Sequence, residues 1–210
     1  MEINQEISAF IIVDVQNDFL PGGALAVSKG DEVISVINSV QAKFDLIVST
    51  QDWHPVNHGS FAANHPGKKV GDHIQLNGLD QVLWPVHCVQ NSVGANFHKS
   101  LHGEKWKKVF KKGTNPEVDS YSGFFDNGRK ERTGLGDFLK EQGIDQVFIA
   151  GLAADYCVKY TVLDALDIGF KTYLITDGTK GVNLSPNDTI VAFKEMEKRG
   201  AILIQSQDII

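Results

Sequence analysis

Six short apolar runs of β type alternate with amphipathic helical segments along this chain, and few architectures can accommodate that order. The runs are SAFIIVDV (8–15), DLIVSTQ (45–51), KKVFKKG (107–113), DQVFIAG (145–151), KTYLITD (171–177) and AILIQS (201–206). Between them, DEVISVINSVQAKF (31–44) aligns Val33, Ile37, Val40 and Phe44 on one helical stripe, and GLGDFLKEQG (134–143) and VKYTVLDAL (158–166) repeat the spacing. The last helix is expected within SPNDTIVAFKEMEKRG (185–200), with Ser185 as N-cap, Pro186 at the first helical position and Gly200 as the stop. Strands that alternate with helices pair in parallel and need both faces of their sheet covered. The expected fold is therefore α/β, a three-layer αβα sandwich. Its six-stranded, mostly parallel sheet takes the order 3-2-1-4-5-6, with helices on both faces.

One stretch breaks the rhythm. Residues 53–105 are rich in proline, glycine, asparagine and histidine, yet they carry Trp53, Phe61, Trp84 and Phe97, a poor composition for disorder. An irregular insertion folded over the sheet and the active site is expected, within a single domain spanning 1–210. Two cysteines give no disulfide framework, and the start MEINQEISAF lacks a secretory pattern, which points to a reducing cytoplasm. A net charge of −6 argues against a general nucleic-acid binder, and the run KWKKVFKK reads as strand residues mixed with solvated lysines. No apolar stretch is long enough to span a bilayer.

Ligands of an open parallel sheet bind outside the carboxyl ends of its strands, which singles out Asp14, Lys112 and Cys157. Each has an ordinary structural reading: a carboxylate capping loop N–H groups, an exposed lysine beside a turn, a small buried thiol. Jointly they can form an activated nucleophile, with a carboxylate to take the thiol proton and an ammonium to stabilise the thiolate. Cys157 is expected in the first turn of a helix, where unpaired N–H groups and the dipole favour thiolate over thiol. Lys111 rivals Lys112, because neighbouring strand residues face opposite sides and periodicity alone does not choose between them. Asp52 and His54, two apart at a strand end, can point the same way, and His87 could complete a cation site; Asp-x-His pairs are also common as plain surface hydrogen-bonding pairs.

The segments VDVQNDF, STQDWHPVNHGSF, WPVHCVQNSVGANFH, FKKGTNPEVDSYSGFFDN and GLAADYCVKYTVLDAL, in this order, resemble the nicotinamidases of the isochorismatase-like cysteine hydrolase superfamily. The resemblance implies hydrolysis of nicotinamide to nicotinate and ammonia through a cysteine acyl-enzyme, in NAD salvage, with pyrazinamide as a second substrate. It implies a triad of Asp14, Lys112 and Cys157, the F-x-K-G pattern selecting Lys112. It also implies oxyanion donors in the amides of Ala153 and Cys157, a cis peptide between Leu152 and Ala153, and ring-walling side chains Phe19, Trp84 and Tyr121. One divalent metal is implied on Asp52, His54 and His87, with zinc the first choice and iron or manganese as alternatives. The position of Ser60 is a histidine or glutamate ligand in some relatives; a serine there would bind weakly or through water. His58, His65 and His73 are expected as surface or loop histidines, and Cys88 as buried packing in an extended segment. Other amidases of the superfamily, acting on N-carbamoylsarcosine or ureidoacrylate, and an idle binding module are the rival readings. Retention of all three triad residues and of the metal-type cluster speaks against them. The expected partner is a small-molecule substrate, with no nucleic acid and no membrane, and with room for a homo-oligomer.

Overall fold

The computed structural model describes residues 1–210. Its main sheet contains β1 (Ser8–Val13), β2 (Ile47–Asp52), β5 (Lys108–Lys112), β6 (Gln146–Leu152), β7 (Lys171–Lys180) and β8 (Ile202–Ile204). The spatial order is β5-β2-β1-β6-β7-β8, and every pairing is parallel. Counted along the chain, these six strands lie in the expected order 3-2-1-4-5-6.

Successive β1 residues feed opposite layers. Ala9, Ile11 and Val13 pack with α2 (Leu135–Glu141), α3 (Cys157–Asp167) and α4 (Asp188–Lys198), whereas Phe10 and Ile12 pack with α1 (Glu32–Gln41). Burial on both faces explains why β1 and β6 read as nearly unbroken apolar runs rather than alternating ones. The order reverses between β1 and β6, and a ligand crevice opens at such a switch point beyond the strand ends.

Two local expectations need correction. Ser185 is not the N-cap of α4: Asn187 stands at that position, at φ +76° and without a side-chain bond to the helix, and its left-handed backbone keeps residues 185–187 out of the helix as a turn. Gly200 does end it, at φ +110°. Within the irregular stretch, β3 (His73–Leu76) and β4 (Leu79–Val82) form an antiparallel hairpin that the sequence reading missed. The turn is Asn77-Gly78, both at positive φ, and that dipeptide was the available signal. The rest of the stretch is tied to the turn after β1 by the bridge Gln16↔Phe97 and to itself by His54↔Val89 and Phe61↔Trp84. No helix is long and apolar enough to cross a membrane.

Candidate active site

The strand that runs deepest through the core delivers the first carboxylate. Asp14 follows β1 at φ +48°, a left-handed conformation that aspartate tolerates better than bulkier residues. It is fully buried. Its Oδ1 accepts from Thr50 Oγ1 at 2.6 Å, and its Oδ2 pairs with Lys112 Nζ at 2.9 Å. Lys112 ends β5 directly opposite Asp52 of β2. It donates to the Asp52 carboxylate and, at 2.8 Å, to the Ser120 carbonyl, and it lies 3.4 Å from Cys157 Sγ. Lys111 points the other way, its Nζ 3.7 Å from the centre of the Trp53 ring, so strand alternation leaves only Lys112 inside.

The next residue explains why the strand must stop there. Gly113 sits at φ +62°, and a Cβ on it would run into the His54 imidazole. Its carbonyl faces His54 Nδ1 at 2.8 Å. A carbonyl only accepts, so Nδ1 carries a proton and Nε2 is the nitrogen left to face a cation once its own proton is displaced. His87 is oriented the same way, its Nδ1 donating to the Pro85 carbonyl at 2.8 Å. Asp52 Oδ2 lies 3.5 Å from His54 Nε2 and 3.8 Å from His87 Nε2. Those separations are too long for hydrogen bonds. They approach the roughly 3.0–3.4 Å between donors around a cation with bonds of about 2.1 Å. One carboxylate and two imidazoles, each fixed by a backbone carbonyl, make a donor set suited to a divalent metal; without the ion, burial works against charge on His54 but the Asp52 carboxylate outweighs it and raises that imidazole's pKa.

Charge differs from the sequence reading at the thiol. Burial pushes the Cys157 thiol well above its ordinary value, the Asp52 and Asp14 carboxylates push it further, and Lys112 only partly opposes them. The resting residue is therefore a thiol and not the thiolate expected from a helix start: α3 offers a partial charge, whereas the desolvated pocket and two carboxylates act at closer range. Burial also raises Asp14, to about 6, against the Lys112 attraction. At Asp52 burial acts upward too, but Lys112 and His54 together outweigh it and hold the carboxyl well below its ordinary range. His87 is lowered to about 4 by burial and by the neighbouring His54, which keeps its lone pair available at neutral pH.

One cavity joins the two clusters. Asp52, His54 and His87 line it together with Phe19, Trp84, Tyr121, Ala153 and Cys157. The Leu152–Ala153 peptide is cis. Cys157 opens α3, so its N–H has no intrahelical acceptor. Ser60 is buried but is not part of the cavity wall. It is engaged with His58 instead: its N–H donates to His58 Nδ1 at 3.2 Å, and its Oγ lies 2.7 Å from the same nitrogen.

His58 is the clearest correction among the histidines. It is fully buried rather than a surface residue, and its ring centre lies 4.4 Å from that of His54. Packing of residues 54–61 against Trp84 decides this, which local sequence does not encode. His65 is half-buried and His73 exposed. Cys88 is buried packing as expected, but at φ +46° its segment is not extended.

Sequence reasoning missed Asp119, Tyr156, Leu25 and Val182 in the cavity wall. Asp119 accepts from Gln81 Nε2 at 3.0 Å, and the same amide donates to Tyr121 Oη at 3.1 Å. Its place two residues before Tyr121 in DSYS was the only local hint.

The Isochorismatase domain model matches residues 8–208. A nicotinamidase from Escherichia coli is 52% identical over 204 residues, 95% of either chain. The solved structure of an Acinetobacter baumanii nicotinamidase and pyrazinamidase superposes with a TM-score of 0.95 at 45% identity, covering 98% of this chain and 99% of that one. A Pyrococcus horikoshii pyrazinamidase solved in complex with zinc superposes with a TM-score of 0.77 at 39% identity, covering 94% and 98%.

Proposed function

The chain belongs to the isochorismatase family, and on that premise we propose that it is a nicotinamidase, an amidohydrolase that converts nicotinamide to nicotinate and ammonia and also accepts pyrazinamide. The observation that carries the reading is the sharing of Asp52. One of its oxygens faces Lys112, which touches Cys157, and the other faces His54 and His87, all around one aromatic-walled cavity.

With Asp14 titrating at about 6 and the Cys157 thiol far higher, neutral pH supplies a base and a protonated nucleophile. Asp14 takes the thiol proton as sulfur attacks the carboxamide carbon, while the Lys112 ammonium offsets the sulfur charge. The amides of Ala153 and Cys157 receive the oxyanion. As the tetrahedral centre collapses, the C–N bond breaks, the departing nitrogen takes the proton from Asp14, and ammonia leaves. Asp14 then accepts a proton from water, whose oxygen attacks the thioester. Collapse releases nicotinate, and the proton returns to sulfur.

Asp52, His54 and His87 would hold a divalent cation, with zinc the first choice. That ion supplies a Lewis acid able to fix the substrate's ring nitrogen so that the 3-carboxamide faces the thiol. Phe19, Trp84 and Tyr121 wall the ring, and residues 53–105 limit access of water. Two free cysteines are in keeping with a reducing, cytoplasmic setting.

The test is ammonia release from a panel of amides, with and without chelator, together with mass spectrometry of quenched turnover. A nicotinoyl adduct, the mass of nicotinamide less ammonia, is expected on Cys157. An adduct on Cys88, or ammonia release that survives Cys157→Ala, would overturn the assignment.

A further inference from the structure

The turn after β1 carries a second polar residue that the mechanism above does not use. Gln16 is fully buried. Its Oε1 accepts from the Asp52 N–H at 2.8 Å, and its Nε2 donates to the Asp52 carbonyl at 2.8 Å and to the Ala95 carbonyl at 2.9 Å.

The reason for this pairing lies in the sheet. The β1–β2 register ends at Ile12↔Ser49, because the chain leaves the strand at Asp14, whereas β2 continues to Asp52 along β5. The Asp52 N–H and carbonyl both face the vacated β1 side and would be buried without partners. The Gln16 carboxamide supplies one donor and one acceptor in the geometry of a missing peptide unit.

We infer that Gln16 is a positioning residue whose side chain stands in for a strand neighbour, fixing the Asp52 backbone so that one carboxylate can serve Lys112 and the metal at once. Asp52 is the joint between the two clusters, and its carboxylate is held only as firmly as the main chain beneath it. Without the clamp, an orphaned buried N–H and carbonyl must turn to find partners. That rotation moves Oδ1 off the ammonium and Oδ2 off the imidazole pair together. This inference rests on the proposed reading of Asp52, His54 and His87 as metal ligands.

Gln51 provides a matched control. It is the residue before Asp52, is also buried, and donates from Nε2 to the same Ala95 carbonyl at 2.9 Å, but it does not bond to the Asp52 main chain. The experiment measures zinc affinity by competition with a chromophoric chelator on folded wild type, Gln16→Met, Gln16→Glu and Gln51→Met, with melting curves and steady-state kinetics at saturating zinc. Loss of an outer partner of a metal ligand weakens affinity by about 10–100-fold, and that range is expected for Gln16→Met. Its kcat should fall with a smaller change in KM, because Lys112 loses its aligned partner. Gln16→Glu with its carboxyl protonated keeps one donor and one acceptor, so at low pH it should fold even if Gln16→Met does not. As that carboxyl ionises with rising pH the donor is lost, and its zinc affinity relative to wild type at the same pH should weaken by at least about tenfold. Gln51→Met should melt earlier and bind zinc as wild type does. Wild-type zinc affinity in the Gln16 variants, or equal weakening in Gln51→Met, refutes the positioning role. Wild type that hydrolyses nicotinamide but binds no zinc at Asp52, His54 and His87 refutes the underlying metal reading instead.

Discussion

Replacing Asp14 by asparagine should abolish hydrolysis and make the protein gain stability relative to wild type as pH climbs from 4 to 7. The carboxyl titrates at about 6 in the folded chain against 3.8 for an ordinary aspartate, chiefly because burial disfavours its charge. Below pH 4 both folded and unfolded forms are neutral there, and the residue adds no penalty. As pH rises through 4 the unfolded chain ionises freely while the folded chain holds its proton, so the unfolded state gains ground until about pH 6; above that the cost stays constant. The two values lie about two units apart, and at 1.36 kcal/mol per unit the ionised carboxylate costs roughly 3 kcal/mol of stability at pH 7. Asparagine does not titrate. It also takes the buried group of Asp14, Asp52 and Lys112 from a net charge of −1 to zero. The difference in stability between variant and wild type should therefore move by about 3 kcal/mol in favour of the variant between pH 4 and pH 7, or about 6–12 °C in Tm for a chain of this length. Calorimetric melts of both proteins in chelator, at intervals across that range, provide the assay. Adding zinc should shrink the gap, because a nearby cation lowers the wild-type pKa. Parallel Tm-against-pH curves, or a wild type that gains on the variant as pH rises, would refute the claim that Asp14 is held against its preference.

Three further outcomes follow from the same geometry. Thr50→Val removes a hydroxyl donor that favours the Asp14 carboxylate, so the acid limb of kcat/KM, set near pH 6, should move upward; an unchanged or lower limb would separate Asp14 from that limb. Gly113→Ala drives a methyl into the His54 ring at a left-handed backbone position, so zinc affinity and activity should fall together, by at least about tenfold if the metal reading is right, while Gly134→Ala, at a φ of +87° with open space around it, should cost only stability. Pyrazinamide, which keeps the ring nitrogen, should be hydrolysed, whereas benzamide should be a poor substrate with metal bound, and chelation should erase most of the difference. Equal kcat/KM for benzamide and nicotinamide in the metal-loaded enzyme would remove ring coordination as the source of specificity.

The sheet was legible in the sequence because its information is local. Apolar residues at spacings of two, three and four mark which segments are strands or helices, and their alternation leaves one economical way to cover both faces. For the same reason Asp14, Lys112 and Cys157 could be singled out as residues just past apolar runs, and Asp52 with His54 as a pair sharing one side of a strand end. Even the hairpin at Asn77-Gly78 was written locally and was overlooked.

What the sequence did not contain were relations between groups far apart along the chain, such as Asp52 with Lys112, 60 residues on, or Gln16 with Ala95, 79 residues on. The choice of Lys112 over Lys111 needed a resemblance on paper, but in the fold it follows from which face of β5 looks inward. The helix start at Cys157 argued for a thiolate; desolvation and two carboxylates, brought in by β1 and β2, reversed the direction. His58 reads as a loop histidine until Phe61 pairs with Trp84 and closes the core over it. Gln16 has no local signature, because its role is to occupy the gap left where one strand ends before its neighbour. Hydrophobic period is a property of a segment and can be read along the chain. Ionisation, ligand convergence and backbone satisfaction depend on distance through a low-dielectric interior, and only the packed tertiary structure sets that distance.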